Sequence, residues 1–318
     1  MDRSSGIILP ISSLPSPYGI GSLGKAAREF VDFLAAAGQS WWQMLPVGPT
    51  SLGDSPYQSP SAFAGNPYFV DLDLLVEDGL LLQDEVSAPD WGEDPASVDY
   101  ALIYRSRFDL LRRAFGRGWG RDREKVAAFV RENAFWVEDY ALFMAIKAHF
   151  GMTSWIDWPD EGIRLRRPQS LAAYRSRLAR EVDFNLYVQY LFFRQWDALR
   201  AYAREKGVGI IGDLPIYVAR DSVEMWSEPQ LFSLDAAGDP LSVAGTPPDT
   251  FSPTGQYWGN PIYDWECMRE DGYSWWVERL RSSLELYDLV RIDHFRGFES
   301  YWGEPFGVAS SAAGSWRQ

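Results

Sequence analysis

The sequence predicts an α/β fold with a parallel sheet, and three observations predict it. The chain opens with an apolar run, a helical pattern and a second apolar run, which is the strand–helix–strand unit of a parallel sheet. The same rhythm returns after residue 184 and produces two further apolar strands. Those two later strands carry carboxylates at their C-terminal ends, Asp213 and Asp293. An apolar run closing on charge is the composition of a buried parallel strand, and barrel enzymes keep their chemistry at such strand ends.

Residues 6–9 (GIIL) form the first short strand, ended by Pro10, and a Ser/Pro/Gly-rich loop follows. A helix starts near Ser22. Ala27, Phe30, Val31 and Leu34 follow its i, i+3, i+4, i+7 spacing, and Gly38 is its stop. Residues 40–47 (SWWQMLPV) read as the second strand.

From 51 to 183 the rhythm is lost. Residues 51–69 are loop-like, and helical patterns follow near 100–115, 123–150 and 170–180, with a Trp/Pro-rich joint at 155–159. We read 51–183 as a mainly helical insertion after the second strand, and 1–50 with 184–318 as the parallel-sheet part. Val188, Leu191, Phe192, Leu199 and Tyr202 then share one helical face. The third strand is 208–214 (VGIIGDL), a long loop spans 218–261, and Tyr273, Trp276, Leu280, Leu284 and Tyr287 mark a helix. That helix leads into the fourth strand, at the start of residues 289–298 (LVRIDHFRGF).

Composition narrows the function classes. At 318 residues the chain can hold one large domain, or a domain with an insertion. The 15 Trp, 16 Tyr and 18 Phe exceed the ordinary aromatic content, and rings can stack on the apolar face of a pyranose, although most are expected in the core. The net charge of −14 argues against nucleic acid and anionic membrane surfaces and suits an uncharged substrate. A single cysteine, Cys267, and two histidines form neither a disulfide nor a zinc-type motif. The N-terminal apolar run is too short for a signal peptide and no 18-residue apolar stretch occurs, so a cytoplasmic location is expected.

Asp293 is the leading candidate for chemistry. A strand-end carboxylate can attack a sugar's anomeric carbon and form a covalent glycosyl enzyme. Arg291, two residues earlier, points to the same face, where its guanidinium keeps Asp293 ionised and in position. A structural Arg–Asp pair is the competing reading. His294 donates to a sugar hydroxyl or caps the strand. Asp213 faces the same cavity or serves as a turn aspartate ahead of Pro215. The loop 245–261, with Asp249, Tyr257, Trp258 and Asn260, is a lid or binding rim, or an ordinary long surface loop. Tyr57, in a loop of similar character, is placed to stack on a sugar ring.

Six segments, taken together, resemble the 4-alpha-glucanotransferases (amylomaltases, disproportionating enzymes) of glycoside hydrolase family 77. They are SSLPSPYGIGSLG, QMLPVGPT, GDSPYQSPSAFAGNPYF, VGIIGDLPIYVARDS, GTPPDTFSPTGQYWGNPIYDW and LVRIDHFRGF, in family order over nearly the whole chain. The resemblance implies a (β/α)8 TIM barrel, of which this chain carries about the first four strands. It implies transfer of α-1,4-glucan segments between maltooligosaccharides with retention, no metal and no organic cofactor. Asp293 would be the nucleophile with Arg291 beside it. Asp213 and Tyr57 would line the subsite of the cleaved glucose, and Asp249 and Trp258 the acceptor side. The family's acid/base Glu would fall beyond Gln318, so the chain is expected to be the N-terminal part of a longer protein and inactive alone. Glu299 and Glu304 lie in the segment leaving the strand, off the position that a retaining partner about 5–5.5 Å away must hold. An α-amylase-type hydrolase and a glucan-binding fragment without catalysis are the alternatives.

Overall fold

The computed structural model describes residues 3–51, 54–94, 96–308 and 311–318; Met1, Asp2 and the motif residue Gly53 lie outside them. In chain order, β1 (Gly6–Ile8), α1 (Lys25–Ala36) and β2 (Trp41–Gln43) come first. A helical stretch follows: α2 (Leu72–Glu77), α3 (Gln83–Ser87), α4 (Tyr100–Glu132), α5 (Val137–His149), α6 (Glu161–Arg164), α7 (Pro168–Arg177) and α8 (Ala179–Glu205). Then come β3 (Gly209–Pro215), α9 (Val223–Ser227), β4 (Ser242–Thr246), β5 (Gln256–Pro261), α10 (Trp265–Glu270), α11 (Ser274–Leu286), β6 (Leu289–Asp293), β7 (Tyr301–Pro305) and β8 (Ser315–Arg317).

The α/β class and the parallel sheet hold: β1, β2, β3 and β6 pair in that order, all parallel. Alternation along the strands decides which face the helices cover. Trp42, Ile210 and Gly212 face the helices. Trp42 is fully buried, its ring is edge-on to Phe30 of α1, and its indole N–H donates to the Leu9 carbonyl at 2.8 Å. The other face carries Ile8 and Leu289 on the two edge strands, 57% and 46% exposed. Asp213, Arg291 and Asp293 stand on this second face.

The helical stretch departs from expectation in one instructive way. The expected patterns at 100–115 and 123–150 are joined through Gly116–Gly120 inside the 33-residue α4, and the second pattern breaks instead between Glu132 and Val137. Each glycine costs a helix about 1 kcal/mol. Gly118, however, lies against α8: a Cβ there would collide with the Tyr187 hydroxyl, which donates to the buried carboxylate of Asp122 at 3.0 Å. Tertiary contact outweighs propensity. Helix α8 begins at Ala179 and runs through residue 184 without interruption.

Two buried glutamines of α8 hold the loop-like residues that precede α2. Gln189 accepts from the Gly65 N–H (2.8 Å) and donates to the Gly65 carbonyl (2.9 Å). Gln195 does the same with Asp71, at 2.7 and 3.2 Å. Each side chain imitates a strand neighbour and satisfies a backbone unit that would otherwise be buried unpaired. Gly65 also lies against the fully buried Phe192, where a Cβ would overlap the ring. Gly65→Ala is therefore expected to destabilise the protein by about 1–3 kcal/mol, the range for overpacking a rigid site. Chemical denaturation measures it, and a variant as stable as the parent would refute the close packing.

The second sheet departs from the expectation of a single long loop. Residues 218–261 contain β4 and β5, and with β7 and β8 they form an antiparallel sheet in the order β5-β4-β7-β8. These strands are short and rich in Gly and Pro, and β4 finds its β7 partner far along the chain, so no local periodicity marks them. Among the described residues no helix is long and apolar enough to cross a membrane.

Candidate active site

Parallel register assembles the centre. Asp213 of β3 lies directly opposite Arg291 of β6, and Pro215 opposite Asp293, so the three charged side chains share one face at adjoining strand ends. Arg291 Nη1 donates to both oxygens of Asp213 at 2.8 Å, and its Nη2 donates to Asp293 Oδ1. Tyr57, from the loop after β2, donates its hydroxyl to Asp213 Oδ2 at 2.8 Å. One guanidinium thus bridges two carboxylates, and a phenol closes the inner one.

Exposure separates the roles. The Asp213 side chain is fully buried, whereas Asp293 is 35% exposed and accessible from the open face of the sheet. Burial pushes the Asp213 carboxyl above its usual range, although the Tyr57 hydroxyl and Arg291 both oppose the shift. Tyr57 is pushed up to about 12 by burial and by its bond to Asp213, so its proton stays on. Burial disfavours the charge on Arg291, but Asp213 and Asp293 more than offset this and raise its affinity for the proton.

His294 adjoins Asp293 in a left-handed backbone conformation (φ 53°), which is uncommon for a residue with a side chain. Burial lowers its basicity, and its Nε2 is buried without a hydrogen-bond partner. The Trp258 ring stands edge-on to it, with centroids 5.0 Å apart and planes at 86°.

Trp258 reaches His294 through a bulge. Val243 pairs with Pro261 but Gly245 with Tyr257, so Trp258, Gly259 and Asn260 together oppose a single residue of β4. Gly259 adopts φ 75°, which a side chain would resist, and the bulge re-aims Trp258 toward the strand ends. Asp249 sits apart from these contacts. It is exposed in the β4–β5 connection, where its carboxylate accepts from the Phe251 and Ser252 N–H groups of its own turn. The neighbouring Phe251 ring is 95% exposed. Tyr257 is likewise exposed on β5.

Among the sequence candidates, Tyr57, Asp213, Arg291 and Asp293 therefore meet directly. His294 and Trp258 meet each other beside them. Glu304 lies elsewhere: it is wholly buried on β7 against Gly245, and burial raises its pKa. The Glu299 carboxylate accepts from Ser300. Sequence reasoning missed Gln58. Its Nε2 donates to the Trp258 carbonyl and to Asn260 Oδ1, both at 3.1 Å. Only its place next to Tyr57 was a signal. Also missed was the buried Glu224 of α9, which holds the same loop by accepting from the Ala62 N–H (2.8 Å) and the Ser61 hydroxyl (3.2 Å).

The family model described as 4-alpha-glucanotransferase matches residues 9–318. A 4-alpha-glucanotransferase of Streptococcus pneumoniae is 52% identical over 99% of this chain and 62% of its own length. One from Thermus thermophilus is 50% identical over 99% of this chain and 63% of its own length. Among solved structures, an amylomaltase from Streptococcus agalactiae in complex with acarbose superposes with a TM-score of 0.97 at 44% identity, over 99% of this chain and 64% of that one. The chain thus spans less than two thirds of the length of the relatives it matches.

Proposed function

Since this chain belongs to the 4-alpha-glucanotransferase family, we propose that it forms the nucleophile-bearing part of an enzyme that transfers α-1,4-glucan segments to the 4-hydroxyl of an acceptor glucan or glucose. The observation that carries this reading is Arg291 bridging a buried Asp213 and an accessible Asp293 at adjoining ends of parallel strands. We further take the four-stranded parallel sheet as the first half of a (β/α)8 barrel. Its one helix-covered face and its open, partly apolar face support this, because parallel sheets are covered on both sides. A similar structure that holds acarbose supports an α-glucan ligand.

In the first step an oxygen of Asp293 bonds to the anomeric carbon, the glycosidic C–O bond breaks, and the leaving 4-oxygen takes a proton. A general acid, none of the residues assigned above, supplies this proton. In the second step the 4-hydroxyl of an acceptor attacks the same carbon, its proton returns to that group, and the ester to Asp293 is released. Two inversions give net retention. Arg291 donates to the Asp293 carboxylate and fixes its orientation. Asp213, buried behind them, holds Tyr57 and Arg291 at the wall of the subsite for the cleaved glucose. Neutral His294, its Nε2 without a protein partner, bonds a substrate hydroxyl. Trp258, Asp249 and Tyr257 line the acceptor side, where a docked glucan excludes water and favours transfer over hydrolysis.

Incubating the full-length protein with maltotriose tests the reading. Transfer yields glucose and maltopentaose, then longer products, whereas hydrolysis alone yields glucose and maltose. Only shorter sugars would overturn the transferase assignment in favour of a hydrolase, and binding without turnover would leave a glucan-binding protein.

A further inference from the structure

Gln58 occupies a place that none of the candidate catalytic or binding residues accounts for. Two arms of side chains meet around Asp293. One runs from Tyr57 to Asp213, on to Arg291 and so to Asp293. The other runs from His294, the next residue in the chain, to the ring of Trp258. Gln58 joins their far ends. It is the chain neighbour of Tyr57, and both hydrogens of its amide are spent on the Trp258 bulge, one on the Trp258 carbonyl and one on Asn260 Oδ1. The contacts therefore close into a ring with Asp293 on its perimeter.

The ring is anchored on both sides of Gln58. Asn260 is buried and donates from its Nδ2 to the Val218 carbonyl at 2.8 Å, so its oxygen is the end presented to Gln58. The Tyr57 loop is held farther along by Glu224 and by Gln189. Between these anchors, the Gln58 amide is the hydrogen-bonded link from the Tyr57 loop to the Trp258 bulge. Gly259 makes the bulge conformationally permissive, so a bond on each side of this glycine has something to restrain.

We propose that Gln58 is a positioning residue: it holds the acceptor-side Trp258 in register with the donor-side Tyr57–Asp213–Arg291 group. This rests on the transferase reading above. Reacting groups held a fraction of an ångström out of line lose rate steeply, so a tie between donor and acceptor sides acts on transfer more than on bond cleavage. Without the tie the Trp258 bulge relaxes, the acceptor is held less well, and water competes for the glycosyl enzyme.

Gln58→Met in the full-length protein tests this, because methionine preserves length and volume and removes both donors. Glucose is titrated as acceptor with a maltooligosaccharide donor, and free reducing ends are counted separately from transfer products. The variant is expected to raise the KM for acceptor about 5- to 10-fold and the hydrolysis-to-transfer ratio by a similar factor, with kcat for donor cleavage falling less. A purely structural role would instead lower the yield of folded protein and kcat while leaving acceptor KM and the product ratio at parental values, and that result would overturn the proposal. Gln58→Leu, which likewise removes both donors, repeats the test should the methionine variant fail to melt cooperatively. Absence of transfer by the parent protein would refute the transferase reading itself, whereas an active parent with indifferent variants would refute only the role of Gln58.

Discussion

Asp293→Asn is expected to lower kcat/KM for maltotriose disproportionation by about 10⁴-fold or more, since it removes the atom that bonds to the anomeric carbon. The amide is isosteric and uncharged, so it neither attacks carbon nor forms a stable ester. Stability should hardly change. Asp293 is partly exposed and shares Arg291 with Asp213, and an exposed ion pair contributes only about 0–1 kcal/mol. The variant separates two roles that one structure can confuse. A nucleophile is not rescued by a better leaving group, so a maltosyl fluoride donor should leave Asp293→Asn inactive, while it would restore a variant that lacks only the leaving-group acid. Retention of more than about one hundredth of the parental rate would exclude Asp293 as nucleophile.

Arg291→Met is expected to lower stability at neutral pH by about 2–3 kcal/mol and activity by about 10²–10³-fold. Methionine keeps most of the stem volume, so the cost is electrostatic. Asp213 would remain fully buried with only the Tyr57 hydroxyl for company, and stripping one partner from a buried charge is the expensive case. The figure is set below the range of about 3–5 kcal/mol for fully buried pairs because the Arg291 side chain is 45% exposed and water screens it.

The pH dependence has a definite sign. The Asp213 carboxyl is already raised in the folded parent, so its contribution to stability is complete below its unfolded pKa and is lost as pH rises through the folded one. Removing Arg291 raises the folded pKa further. The deficit of Arg291→Met relative to the parent should then be full at neutral pH and shrink on acidification, vanishing below the ordinary aspartate range. Denaturant midpoints between pH 4 and 8, an interval chosen around that aspartate value, would measure it. A deficit that grows in acid would contradict the burial of Asp213 as an ion.

Much of the parallel sheet is legible in the sequence because its signals are local. The apolar runs at 208–214 and 289–293 and the helical spacing before each are short-range properties, and the observed β3 and β6 agree with them closely. The second strand is shorter than its apolar run suggests: the ladder covers Trp41–Gln43, and Met44 adds one last N–H bond to the Ile211 carbonyl. The second sheet is illegible for the complementary reason. In β4, β5, β7 and β8 the apolar alternation is too short to count, and their pairing joins segments far apart in the chain. At the site, the two-residue spacing of Arg291 and Asp293 is enough to put both on one face of a strand, while the Gln58 link spans 200 residues and no spacing rule reaches that far.

Residue type and short-range periodicity specify the α/β class, the parallel sense of the main strands and the residues that are candidates for the chemistry, because all three are written within a few residues of one another. Which carboxylate is buried and which is accessible, that a single guanidinium holds both, and that a bulge beside Gly259 brings Trp258 to His294 emerge only when the whole chain is folded. Those outcomes depend on strand register and on where long connections return. Both are set by the balance of burial against loop entropy across the whole molecule, and no segment of the chain encodes that balance alone.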